Sequence, residues 1–306
     1  MHKQSSLREH MQTLTTVFGP PQRIANTWNP VIVVRHGIFS DDRPFQNLSN
    51  FLAAKFPNAN NNNQKYDWKD SVVMNGTRLA DAILGDPSID GRPLVLIGHS
   101  MGGLVCRVAN LILIEPDVID QNLPLFRNYC VLDKGDLQTL RSFALRGKKP
   151  RSVNLMVTLA TPNSGAMLWA QINSIASIVK RPFSAHVTSM HDLTTERLFR
   201  LLQYFSVNTP TLSISGSGWN RYGKAPAGIM LSLAHLAGRL HLPNDMIVED
   251  RSVDLAQSIL QNEILSAALA KYLHLRLYRD CIDVVHDNIH DHGKVRDIVV
   301  DCITRC

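Results

Sequence analysis

The sequence predicts an α/β fold in which a mostly parallel central sheet carries helices on both faces. Three observations predict it. Short apolar runs recur at 31–35 (VIVVR), 93–97 (PLVLI) and 153–159 (VNLMVTL), continuous rather than alternating, as in strands covered on both sides. Helical stretches separate them, which is the order that parallel pairing requires. The runs end in Gly, His, Ser and Thr rather than in hairpin turns, so polar side chains gather at the strands' carboxyl ends, where such sheets bind ligands.

Composition bounds the rest. The chain has 306 residues, 44% apolar and 19% charged, enough to bury a core without a metal or a disulfide. One domain is expected over 1–306, with its core from about residue 30 and cap-like insertions at about 115–150, 165–210 and 218–244. Thirty-two Lys and Arg against 26 Asp and Glu leave a net charge of +6, only mildly basic. The densest basic run, 146–151 (RGKKPR), has no interleaved aromatic ring; it reads as a solvated loop, and nucleic acid is not an expected partner. The five cysteines show neither a regular spacing nor a metal-ligand pattern, so reduced thiols, no metal and a cytoplasmic setting are expected. The first residues, MHKQSSLREHMQ, lack the apolar segment of a secretory signal, and export by a route that reads no such signal stays open. The longest apolar-leaning stretch, 228–242, is too short and too interrupted to span a membrane.

In chain order, residues 1–30 read as a polar lead-in closed by prolines, and the first strand follows at 31–35. A helix over about 45–55 ends before Pro57, and the Asn-rich 58–63 reads as a loop. A weak strand near 69–74 and a helix over about 77–84 precede the strand at 93–97, after which a helix runs to about Ile114. Residues 115–150 read as irregular. Beyond the strand 153–159, further strands are expected at 211–215 and 281–285. Val295, Ile298, Val299, Cys302 and Ile303 then share one face of a terminal helix.

Gly98-His99-Ser100-Met101-Gly102 fits G-x-S-x-G between a buried strand and a helix, the context in which such a serine is held outward on a tight turn. The helix start would offer the Met101 N–H to an oxyanion. A tetrahedral oxyanion needs a second donor from another loop. His36-Gly37-Ile38, leaving the first strand, is placed to give the Ile38 N–H, with His36 as a hydrogen-bonding support rather than a base.

With RHGIFS after the first strand, GHSMGGLV at the turn and TPNSG after the next strand, the chain resembles the serine esterases and lipases of the α/β-hydrolase superfamily. The resemblance covers most of 30–304. It implies that fold, an acyl-enzyme mechanism and no cofactor. It places the nucleophile on Ser100, the oxyanion donors on Ile38 and Met101, and Asn163 where the family carries a His in the floor of the site. It also implies the order Ser, acid, His along the chain. Asn244-Asp245-Met246-Ile247-Val248 is similar to the family's acid-bearing phrase, which places the acid on Asp245 ahead of Glu249, Asp250 and Asp254, whose bland reading is first-turn helix carboxylates. His286, His290 and His292 follow the last strand. His292-Gly293-Lys294-Val295, just before the terminal helix, suits the family's H-x-x-apolar phrase and makes His292 the expected base, with His290 as the runner-up.

Two apolar segments, 166–179 and 228–242, fall in insertions above the strand ends and favour an apolar ester or lipid as substrate, compatible with contact at a membrane surface. The same residues would serve a thioesterase, amidase or acyltransferase. An interaction protein on a hydrolase scaffold is the alternative of another class.

Overall fold

The computed structural model describes residues 29–37, 43–62, 66–117, 134–143, 148–165, 192–193, 209–218, 277–284 and 286–305. Among them six strands form one parallel sheet: β1 (Val31–Arg35), β2 (Asn60–Asn62), β3 (Leu94–His99), β4 (Leu155–Leu159), β5 (Thr211–Gly216) and β6 (Leu277–Ile282), in the order β2-β1-β3-β4-β5-β6. The helices are α1 (Arg43–Lys55), α2 (Val72–Gly85), α3 (Met101–Ile114), α4 (Lys134–Ser142) and α5 (Gly293–Ile303), with 3-10 turns at Pro87–Ile89 and His286–Asp291.

The continuous apolar runs are two-faced, because successive strand residues point to opposite sides. Val31, Val33, Leu94 and Leu96 pack with α2 and α3, whereas Ile32, Val34, Val95, Ile97, Leu155 and Val157 pack with α1 and α5. Helices therefore cover both faces, as the sequence predicts. Every pairing is parallel, so all described strands end on one side of the molecule.

Four expectations need correction. The stretch 69–74 is no strand: Ser71 caps α2, its Oγ accepting from Met74 N–H at 3.0 Å, and the β-branched Val72 and Val73 open the helix. The second strand lies instead in the Asn-rich stretch, where Asn60, Asn61 and Asn62 pair with Val31, Ile32 and Val33. Backbone pairing at the sheet margin makes few demands on side chains, so the composition concealed it. Residues 115–150 are not all irregular, since α4 buries Leu140 against the α2–α3 side. The last strand is 277–282 rather than 281–285; LYRDCI pairs residue for residue with β5, and its Arg279 and Asp280 mask the pattern. The insertions at 165–210 and 218–244 lie almost wholly outside the described residues.

Candidate active site

β3 passes into α3 through Ser100, which holds φ 51° and ψ −128°. That region is nearly closed to residues with a side chain and costs about 1–3 kcal/mol, so neighbours must hold it. Ser100 N–H donates to the Leu159 carbonyl at 2.8 Å, and Gly103 N–H donates to the Ser100 carbonyl at 3.1 Å. Close backbone approach explains the surrounding glycines. A Cβ on Gly98 would stand 2.4 Å from Gly103 Cα, and one on Gly102 would stand 2.3 Å from the His36 carbonyl oxygen. One on Gly103 would meet Thr161 Oγ1 at 1.9 Å. Ser100 occupies the N-cap position of α3, yet its hydroxyl makes no capping bond. Met101 is the first residue of that helix, where backbone N–H groups have no intrahelical acceptor.

The end of β1 runs beside this turn. A Cβ on Gly37 would lie 2.9 Å from Ser100 Cβ and 3.4 Å from Ser100 Oγ, so only glycine passes there undisturbed. His36 is buried, donates from Nδ1 to the Gly37 carbonyl at 2.8 Å, and stacks on Tyr66 with ring centroids 4.4 Å apart. The Tyr66 hydroxyl donates to the His36 carbonyl. Burial pushes the Tyr66 phenol up from its ordinary value and the Cys106 thiol up to about 12, so both are neutral at physiological pH. Burial pushes Arg35 down; its guanidinium donates to the Val34 carbonyl at 2.9 Å.

On the α1–α5 side the ring of His290 stacks on Phe45 at 4.4 Å and lies 5.7 Å from the ring of His99, the residue before the serine. His290 and His99 are both buried. His292 is the N-cap residue of α5, and its Nδ1 is buried with no hydrogen-bond partner among the described residues. His286 opens the 3-10 turn that leaves β6, and Ile289, three residues on, is fully buried. Asp291 meets Asn47 at 3.3 Å, the Arg296 guanidinium, and His290 Nε2 at 3.8 Å.

Under the turn, the segment after β4 is pinned to α3. Ala160 has φ 48° and donates to the Ile214 carbonyl at 2.7 Å. Arg107, seven residues beyond Ser100 and therefore on the same helix face, donates from Nη1 to Asn163 Oδ1 at 2.8 Å. Both are buried, and burial pushes the guanidinium down to about 9, which leaves it charged at neutral pH. Asn163 thus ties the segment after β4 to α3.

The structure brings Ser100, Met101, the His36–Gly37 step and the His286–His292 turn to the same end of the sheet. Ile38, Asp245, Glu249, Asp250, Asp254 and the segments 166–179 and 228–242 lie outside the described residues. Tyr66 went unnoticed in the sequence, and no signal there could have found it, since it is one ring in a polar stretch. No group of three or more His, Cys, Asp or Glu that could hold a metal occurs among the described residues. None of their helices is long and apolar enough to cross a membrane.

A parallel sheet covered on both faces, with a serine turn between a central strand and its helix, is the α/β-hydrolase fold. Solved structures share it. A mature-form lipase from Bacillus licheniformis matches with a TM-score of 0.56 and 16% identity, over 94% of this chain and 96% of that one. Its propeptide form matches at 0.57 and 16% identity, over 94% of this chain and 52% of that one. A metagenomic carboxyl esterase matches at 0.52 and 10% identity, over 93% and 77%. At such identities the likeness is one of fold. No protein-family model matches the chain, and no curated protein matches it in sequence.

Proposed function

We propose that the chain is a serine carboxylic ester hydrolase acting on apolar acyl esters through an acyl-enzyme. One observation carries the reading: Ser100 sits in a backbone conformation that costs stability, and its hydroxyl performs no capping role for the helix it starts. Its Oγ attacks the ester carbonyl as a base removes the proton. The Ile38 and Met101 N–H groups stabilise the tetrahedral anion, the imidazolium protonates the leaving alcohol, and water then releases the acid. No cofactor is needed. Esterase and lipase names among the fold's neighbours support hydrolysis in general terms.

The base is assigned to His292, whose Nδ1 is buried without a hydrogen-bond partner among the described residues, and the acid to Asp245. A second reading puts the base at His286. It stands first after β6, and the H-x-x-apolar spacing is met there too, with Ile289 buried.

The test is fluorophosphonate labelling with p-nitrophenyl ester turnover. Wild type should be labelled at Ser100, and Ser100→Ala should be neither labelled nor active. Persistent turnover in Ser100→Ala overturns the proposal. His292→Ala should lose several powers of ten in turnover while His290→Ala and His286→Ala retain most of it; the reverse pattern for His286 transfers the base there.

A further inference from the structure

We propose that Tyr66 is a positioning residue for the oxyanion loop, acting through His36. The proposal rests on the esterase reading above. The loop must present a backbone N–H to an anion beside Ser100, and a displaced donor stabilises that charge poorly. Here two successive carbonyls of the loop are held. The Tyr66 hydroxyl donates to the His36 carbonyl, and His36 Nδ1 donates to the Gly37 carbonyl at 2.8 Å. The Gly37 oxygen is thereby held on the imidazole side, which fixes the chain at the point where it leaves β1 beside Ser100.

Tyr66 sets this arrangement from outside the loop. Its ring stacks on the His36 imidazole at 4.4 Å with an interplanar angle of 23°, which fixes the orientation from which Nδ1 donates. Its hydroxyl acts on the His36 oxygen, the atom that a Cβ on Gly102 would approach to 2.3 Å. That carbonyl is thus held between the phenol and the first turn of α3, which ties the oxyanion loop to the nucleophile's own helix. The raised phenol keeps its proton, so the hydroxyl donates throughout the working pH range.

Tyr66→Phe retains the stack and deletes the bond. In the full chain it should lower kcat about tenfold with KM changed less than twofold, a smaller loss than deleting an oxyanion donor outright. The affinity of an alkyl boronic acid, which mimics the tetrahedral state, should fall by the same factor. His36→Asn, which removes the ring, should show the same kcat-specific loss, and it decides the matter if Tyr66→Phe does not fold. Wild-type kcat and boronate affinity in a folded variant overturn the proposal, as does a loss confined to KM or to melting temperature. If wild-type Ser100 resists fluorophosphonate, the esterase reading fails with it; normal labelling beside an unaltered Tyr66→Phe enzyme refutes the Tyr66 role alone.

Discussion

Ser100 bears a local cost that its neighbours sustain. Its φ of 51° and ψ of −128° suit glycine, while the hydroxyl is what the proposed chemistry requires. Two inactive variants should therefore differ in stability. Ser100→Gly relieves the strain and should exceed Ser100→Ala by about 1 kcal/mol, after the entropic cost of glycine is subtracted. Denaturant melts of both check this, and equal midpoints would show that the conformation is not strained. Gly103 is the converse case. A methyl there would overlap Thr161 Oγ1 at 1.9 Å, so Gly103→Ala should destabilise the protein by about 1–3 kcal/mol and displace the loop under the serine.

At the scale of elements, α3 is held against two neighbours. It meets α2 closely, because a Cβ on Gly76 would stand 2.5 Å from the Val108 side chain, and it meets the segment after β4 through Arg107 and Asn163. A hydrogen bond to a buried charge is worth about 1.5–3 kcal/mol. Asn163→Ala should cost that much in unfolding free energy. Asn163→Asp, which offers a carboxylate to the guanidinium, should retain more of the stability than the alanine variant does. Chemical denaturation of the three proteins measures the difference, and an Asp variant less stable than the Ala variant would show that Arg107 does not govern this contact.

The whole molecule places its proposed chemistry where all described strands end, and the described chain after β4 and β5 stops on that side at Gly165 and Gly218, ahead in sequence of the apolar segments 166–179 and 228–242. Ala166 follows directly on the segment after β4 that Asn163 ties to α3. If those segments cover the acyl chain, each buried methylene adds about 0.8 kcal/mol to binding. Catalytic efficiency on p-nitrophenyl esters should rise with acyl length through about eight carbons, measured below any micelle threshold. A preference for acetyl over octanoyl esters would move the substrate class to small soluble esters and leave the serine mechanism in place.

The sequence specifies the layered architecture and the tight serine turn between β3 and α3. Doubly buried strands must read as unbroken apolar runs, and a strand-to-helix turn this tight admits only glycine at Gly98, Gly102 and Gly103; both signals are local in the chain. It did not determine the edge strand at Asn60–Asn62, or the register of β6, because pairing uses the backbone and leaves no imprint on side chains where one face or margin is open. Tertiary structure alone decided that Tyr66 reaches the His36 carbonyl, that Arg107 meets Asn163 across 56 positions, and that His290 stacks on Phe45 beside His99. Such contacts join residues far apart in the chain. Their energies depend on distance and angle in three dimensions, to which neither spacing nor composition gives access.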